Sequence, residues 1–374
     1  MAGFRLAPLV EGLPRAIPFV GPETLERRRG RPFRCRLGAN ENAFGPSPAA
    51  LHAMTHAAFD VWKYGDPENH ALRERLAAQL GCRRGNVVVG EGIDGLLGLL
   101  VRMTIGPGDA VVTSAGAYPT FNYHVTGFGG VIHTVPYRDD HEDLDALVEK
   151  AHEVGARLVY LANPDNPMGT VQKPGAVEAA LERLPDGALL VLDEAYVEFA
   201  DPAVVPDTDI EDPRIIRLRT FSKAHAMAGA RIGYAFGAES LIGSFDRVRN
   251  HFGVNRIAQE GALAALDDAD WLAETLAKVA EARKALTAIA ADNGLTAVPS
   301  STNFVAIDCG GDGRLARAMV AALADRDVFV RMPAVAPLDR CIRVSAGRHA
   351  DLAYLAEVFP KALGAARTAV AAHG

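Results

Sequence analysis

Short β-branched runs alternate with longer helix-length segments through the first two-thirds of this 374-residue chain. No other feature restricts the fold as much. The runs are 86–89, 109–113, 157–161, 188–193, 215–219 and 231–235, and helical patterns such as 144–154 and 174–183 lie between them. Apolar strands separated by helices describe a mostly parallel sheet covered on both faces. In such folds the working residues gather at the carboxyl ends of the strands, and here the polar motifs fall just after strand-like runs.

The texture changes near Ala258. A long alanine-rich stretch, 271–292, leads to a strand-like run at 302–307. Another helical pattern follows, then short runs at 328–331 and 341–344. This predicts a smaller α+β domain. The expected division is an N-terminal arm over 1–36, a large domain over 37–257 and a small C-terminal domain over 258–374, the last joined by part of the N-terminal segment. The arm, rich in proline and arginine, reads as a strap that packs on a neighbour. The length suits two closely joined domains. A net charge of −7 argues against a broad nucleic-acid or anionic-membrane surface. Cys35, Cys82, Cys309 and Cys341 show no CxxC spacing, which suggests neither a zinc knuckle nor a disulfide framework and fits a reducing compartment. The opening residues lack the apolar core of a signal peptide, and no run approaches the ~20 apolar residues of a membrane span. The expectation is a cytoplasmic protein.

Four motifs carry chemistry. Gly90-Glu91-Gly92-Ile93-Asp94-Gly95 follows a strand and opens an apolar helix over 96–101. A dinucleotide site would also need an acidic residue about 20 positions on, but 110–138 contains no Asp or Glu. The glycines therefore predict a cradle for a smaller phosphate, held by backbone N–H groups at a helix N-terminus. By itself, the motif would be an ordinary tight turn. In the second motif, 163–170, Asn166 precedes a proline and is expected to stand extended with its amide as a fixed donor. The third is an apolar strand delivering Asp193, with Tyr196 three residues later. No His or carboxylate partner stands at ligand spacing, so a metal is not expected. Glu194 beside it suits a helix N-cap. In the fourth, Ser222-Lys223-Ala224-His225 and then Gly229-Ala230-Arg231 place a lysine among small residues past a strand. Poor solvation there lowers its pKa and makes the amine a nucleophile for carbonyls. His225 reads as a packing or surface residue.

Taken in this order, the motifs resemble the fold-type I pyridoxal-phosphate (PLP) aminotransferases, and most nearly their histidinol-phosphate aminotransferase branch. The resemblance runs from Leu37-Gly38-Ala39-Asn40-Glu41-Asn42, with Gly45-Pro46-Ser47-Pro48, to Arg343-Val344-Ser345. It implies an α/β fold of type I: a large domain with a mostly parallel sheet and helices on both faces, plus a smaller α+β domain. It also implies that Lys223 bonds the cofactor through its amine and shuttles the proton. Asp193 pairs with the ring nitrogen, making the ring an electron sink, while Tyr196 and Asn166 bond the ring's phenolic oxygen. Phe121 matches the aromatic that stacks on the ring. The phosphate is expected at Gly92, Ile93, Asp94, Ser222 and Arg231. Tyr64 matches a tyrosine that reaches this phosphate from the second subunit of a homodimer with shared active sites. Arg343 matches the fork onto a substrate carboxylate.

Two positions bear on the substrate. Arg331 matches a second phosphate-binding arginine. Phe19 stands where the family has a tyrosine that touches the substrate phosphate. Apart from these, Met168 replaces the threonine usual in its motif, a departure the motif tolerates. The leading expectation is amino transfer between glutamate/2-oxoglutarate and an amino substrate, with histidinol phosphate ranked first and an aromatic or other amino acid behind it. A PLP decarboxylase of the threonine-phosphate type comes third. A sensor that keeps this fold is disfavoured, because residues 1–36 are too few for a helix-turn-helix domain.

Overall fold

A computed structural model of the protein describes residues 4–13 and 20–372. Its centre is a seven-stranded sheet in the order β2-β8-β7-β6-β5-β3-β4. The strands are β2 (Val87–Gly90), β3 (Ala110–Ser114), β4 (Val131–Val135), β5 (Leu158–Ala162), β6 (Leu189–Asp193), β7 (Ile215–Thr220) and β8 (Gly233–Gly237). From β7 to β4 each neighbouring pair is parallel, and β8 alone runs against the rest. Every residue of β5, β6 and β8 is buried, as their unbroken apolar runs require of a sheet covered on both faces.

The strand expected at 231–235 begins two residues later than expected, because Arg231 takes a left-handed φ of 57°. β4 went unforeseen. It is an edge strand with mostly part-exposed residues, and His133 and Thr134 interrupt the apolar run in Val-Ile-His-Thr-Val. Local chemistry accounts for the helices. Leu144–Val154 starts where the Asp143 carboxylate accepts from the Ala146 N–H and ends at left-handed Gly155, the usual stop. Its apolar face packs on one side of the sheet with Val112, Val159 and Leu190. The Gly92–Thr104 helix covers the other side with Leu96, Leu97, Leu100 and Val101.

The smaller layer holds an antiparallel sheet in the order β12-β10-β9, made of β9 (Thr296–Ala297), β10 (Phe304–Asp308) and β12 (Cys341–Ser345). It packs against the helices Ala269–Asp292, Gly313–Asp325 and His349–Ala371 through Val279, Leu286, Met319, Leu323, Leu355 and Phe359. The change of packing falls one helix later than the change of composition. In Arg256–Asp267 the residues Ala258, Ala262, Ala265 and Leu266 join Ala50, Leu72 and Phe236 beside the large sheet. Part of the N-terminal segment joins the smaller layer. Strand β1 (Cys35–Arg36) pairs in parallel with β11 (Val328–Phe329) of the smaller layer, so 20–36 fold onto their own chain. Arg29 and Arg31 ion-pair with Asp327 there.

Glu194 is no N-cap. Its carboxylate is buried and accepts from the guanidinium groups of Arg217 at 2.7 Å and Arg219 at 2.8 Å, both on β7. Removing the anion would leave two cations shut away from water. Glu194→Ala should therefore cost about 3–5 kcal/mol of stability, read as a lowered urea midpoint at unchanged slope, with Glu194→Gln losing less.

Candidate active site

Parallel strands β5, β6 and β7 end at the same edge of the sheet, and the loops leaving them meet the smaller layer around a cavity of about 630 Å³. Asp193 is the last residue of β6, Ser222 and Lys223 follow β7, and Asn166 lies on the turn after β5. Arg343 and Arg331 reach the same cavity from the other side, joined by an antiparallel bridge in which the Arg343 N–H donates to the Arg331 carbonyl at 2.6 Å.

Lys223 Nζ donates to the carbonyl oxygen of Asn40 at 3.1 Å and stands 5.6 Å from the centre of the Tyr196 ring. Burial, then the positive charge of Arg343, lowers its pKa to about 8. Asp193 responds in the opposite direction. Burial raises its carboxyl to about 6, although the Tyr160 hydroxyl and the Ala195 N–H both donate to it. Burial also raises the Tyr196 phenol to about 12, so it stays protonated at neutral pH. Its oxygen already accepts from Asn40 Nδ2 at 2.9 Å, which leaves its O–H as a donor towards the cavity. Asn166 Oδ1 accepts from the Arg343 guanidinium, which leaves its amide NH₂ as the group that can donate.

At the start of the Gly92–Thr104 helix the glycine requirement is physical. Gly92 has φ 78°, and a Cβ there would lie 2.5 Å from Arg231 Nη2. Arg231, itself left-handed, donates through Nη1 to the Ala228 carbonyl at 3.0 Å and to Ser222 Oγ at 3.4 Å. The helix N-terminus at Ile93 and Asp94, the Ser222 hydroxyl and this guanidinium form a pocket for a dianion. A lysine amine, a buried carboxylate, a phenol donor and a phosphate cradle on one cavity fit a flat phosphorylated aldehyde such as PLP. Arg343 Nε is buried with no partner shown, which suits a further anion beside it.

One expectation needs restating, and two others lie beyond this cavity. Phe121 does not face the cavity: it is fully buried, its ring stacked on Tyr160 with centroids 4.6 Å apart. Tyr118, three residues earlier, lines the wall and donates to Asp94 at 2.9 Å. The helix Pro119–Gly127 turns position 121 into the core. Tyr64 lies off the cavity wall, 77% exposed and packed on Phe252. Phe19 lies outside the described residues, although Arg331 Nη2 donates to the carbonyl of Val20, which follows it in the chain. His225 is half-buried against Phe221, and burial lowers its pKa to about 4.

Asn40 and Tyr160 are site residues for which the sequence motifs suggested no role. Asn40 is quoted in the N-terminal motif, but only its left-handed φ of 54° and its contacts show why it is there. Asp165 is a third omission. Its buried carboxyl, raised to about 7, accepts from the Tyr137 hydroxyl and the Met168 N–H, and so holds the turn that presents Asn166.

Residues 35–359 match the family described as aminotransferase class I and II. Histidinol-phosphate aminotransferase 2 of Carboxydothermus hydrogenoformans is 35% identical over 90% of this chain and 93% of its own length. The crystal structure of histidinol-phosphate aminotransferase from Sinorhizobium meliloti, in complex with pyridoxal-5'-phosphate, superposes with a TM-score of 0.94. It is 51% identical, and the match covers 97% of this chain and 98% of that one. Aspartate aminotransferase from Thermus thermophilus, at 23% identity and a TM-score of 0.79, shares the fold. The chain belongs to the class I and II aminotransferases.

Proposed function

We propose that this aminotransferase holds PLP on Lys223 and moves an amino group between glutamate/2-oxoglutarate and histidinol phosphate. One observation carries the reading: a desolvated lysine amine and a buried carboxylate open onto the same cavity as two separate arginine-lined anion sites. The resemblance to named histidinol-phosphate aminotransferases across nine-tenths of the chain supports the substrate.

When bound, PLP supplies an aldehyde for the amino nitrogen and a ring that takes up the electron pair left on the substrate carbon. The chain's own residues do the rest. Asp193 keeps a negative charge beside the ring nitrogen, in a site dry enough for that charge to act strongly. Tyr196 and Asn166 are the donors for the ring's oxygen. Gly92, Ile93, Asp94, Ser222 and Arg231 anchor the phosphate. Lys223 would be the base that carries the proton, and its depressed pKa matches that task near neutrality. Arg343 takes the glutamate carboxylate, and Arg331 the distal phosphate of the amino substrate. The rings of Tyr118 and Tyr123 on the cavity wall favour phenylalanine or tyrosine as the competing substrate.

Tyr64 packs on Phe252, and both are exposed, as are Phe59 and Trp62, which suits cover by a second subunit. On this reading the functional unit is a homodimer in which Tyr64 serves the partner's phosphate cradle. The enzyme is read as a cytoplasmic protein, and no described helix is long and apolar enough to cross a membrane.

Three outcomes are expected. The rate at which the apoprotein captures PLP, followed by its visible absorption, should rise with pH through about 8 as the Lys223 amine loses its proton. Lys223→Ala should develop no borohydride-sensitive band. With 2-oxoglutarate as acceptor, kcat/KM should favour histidinol phosphate over phenylalanine. Arg331→Ala should cost the phosphate ester about one to two decades, the loss of a charged hydrogen bond, and phenylalanine far less; a ratio that favours phenylalanine in the parent enzyme instead assigns the site to aromatic amino acids. Mixing inactive Tyr64→Ala and Lys223→Ala chains should restore activity, because one site of each hybrid dimer is complete. An active monomer would contradict the shared site.

A further inference from the structure

Asp193 sits at the end of a strand with its whole side chain shut away from water, so its charge depends on what donates to it. Two donors do. The Ala195 N–H reaches Oδ1 at 3.0 Å and the Tyr160 hydroxyl reaches Oδ2 at 2.7 Å. The first is backbone and belongs to the turn. The second is a side chain from the neighbouring strand, where Tyr160 is paired with Val191 and Ala162 with Asp193. Tyr160 is fully buried, forms part of the cavity wall and is stacked on Phe121.

We infer that Tyr160 is the positioning residue of the cofactor-binding carboxylate: its phenol holds Asp193 ionised and fixes the plane of the carboxylate, with Phe121 bracing the phenol from behind. The inference rests on the proposed PLP chemistry and assigns within it the residue that tunes the ring partner.

The electrostatic setting makes that donor necessary. Asp94, on the adjacent helix terminus, carries a charge that opposes ionisation of Asp193, and Glu142, buried nearby, would add to it if ionised. Burial raises Glu142 well above the usual carboxylate range; held neutral in this way, it weighs little. Lys223 opposes them when protonated, but its depressed pKa removes that help on the alkaline side. Tyr196 stays a neutral phenol. The Tyr160 phenol, its own pKa raised well above the ordinary value by burial and by the Asp193 charge, remains a donor across the whole working range. A donor to a carboxylate favours the charged form. Removing it moves the Asp193 pKa upward.

Phe121 has its place in this arrangement. A phenol donates along one direction only if its ring is held, and a stacked neighbour at 4.6 Å holds it. This accounts for an aromatic residue at 121 that never touches the cavity.

The test uses the purified full chain stripped of PLP and titrated with PLP across pH 5–9. Tyr160→Phe should bind PLP roughly ten-fold more weakly near neutrality. Its affinity should fall off at higher pH than the parent's as acid is added, because ionised Asp193 is lost sooner; titration of the PLP phosphate itself is common to both proteins. In the loaded enzyme kcat should drop with little change in KM. On an Asp193→Asn background, where no charge remains to hold, Tyr160→Phe should change PLP affinity by less than about two-fold. Equal effects in both backgrounds, or an unshifted pH profile in the single variant, overturn the inference while leaving the PLP reading intact. A parent protein that takes up no PLP overturns both. Thermal unfolding of each apoprotein checks that the variants are folded, and Phe121→Leu, which leaves the phenol unbraced, should give a weaker version of the same pH shift.

Discussion

Asn40 joins the two layers at the point where the chemistry is placed. Its backbone oxygen accepts from Lys223 and from Asn303, its side-chain amide donates to Tyr196, and its N–H donates to Ser345. Tyr196 and Lys223 lie on the loops that follow β6 and β7 of the large sheet, while Asn303 precedes β10 and Ser345 ends β12 of the small one. A residue that is 2% exposed, in a left-handed conformation, therefore fixes the distance between the lysine wall and the arginine wall. Such strain in a non-glycine residue persists only where the surroundings over-determine it, and here five hydrogen bonds to four residues do so, the fifth running from the Ser345 hydroxyl to Asn40 Oδ1.

Once that joint is set, the remaining geometry follows from strand direction. Parallel strands side by side bring their carboxyl ends to one edge, so residues far apart in the chain arrive together without any special contact between them. The loop after β5 is held by Asp165 and the loop after β7 by Thr220, whose hydroxyl accepts from the Ser222 N–H. These two buried braces are why the amide of Asn166 and the hydroxyl of Ser222 are presented in fixed positions, which is what rate enhancement by orientation demands.

Much of this was legible in the residues alone. The apolar runs that became β5 and β6 are unmistakable because both faces are buried, and the motifs at 90–95, 163–170, 193–196 and 222–231 sit at strand ends where the fold puts chemistry. What stayed hidden has a physical cause in each instance. β4 is an edge strand, so nothing forces its residues to be apolar. Phe121 and Tyr118 differ by three positions near the start of a helix, and only the turn of that helix decides which ring enters the cavity. Tyr160 lies inside an apolar run in which a buried tyrosine looks like packing, and its role depends on a partner one strand away. Glu194 follows Asp193 directly. Its different fate comes from strand alternation, which turns it towards Arg217 and Arg219 on β7.

The bond between Arg343 and Asn166 has a consequence for how the two ligands of this site would sense one another. The guanidinium that would grip a substrate carboxylate also orients the amide that would steady the cofactor. An incoming carboxylate draws on the donors that Asn166 now shares, so its arrival is felt one bond away at the cofactor's oxygen. By linkage the effect is reciprocal: whatever the cofactor does to the orientation of that amide, it returns to the arginine as a change in carboxylate affinity of the same size. With those roles, the two pockets would act as one thermodynamic unit, coupled through a single amide.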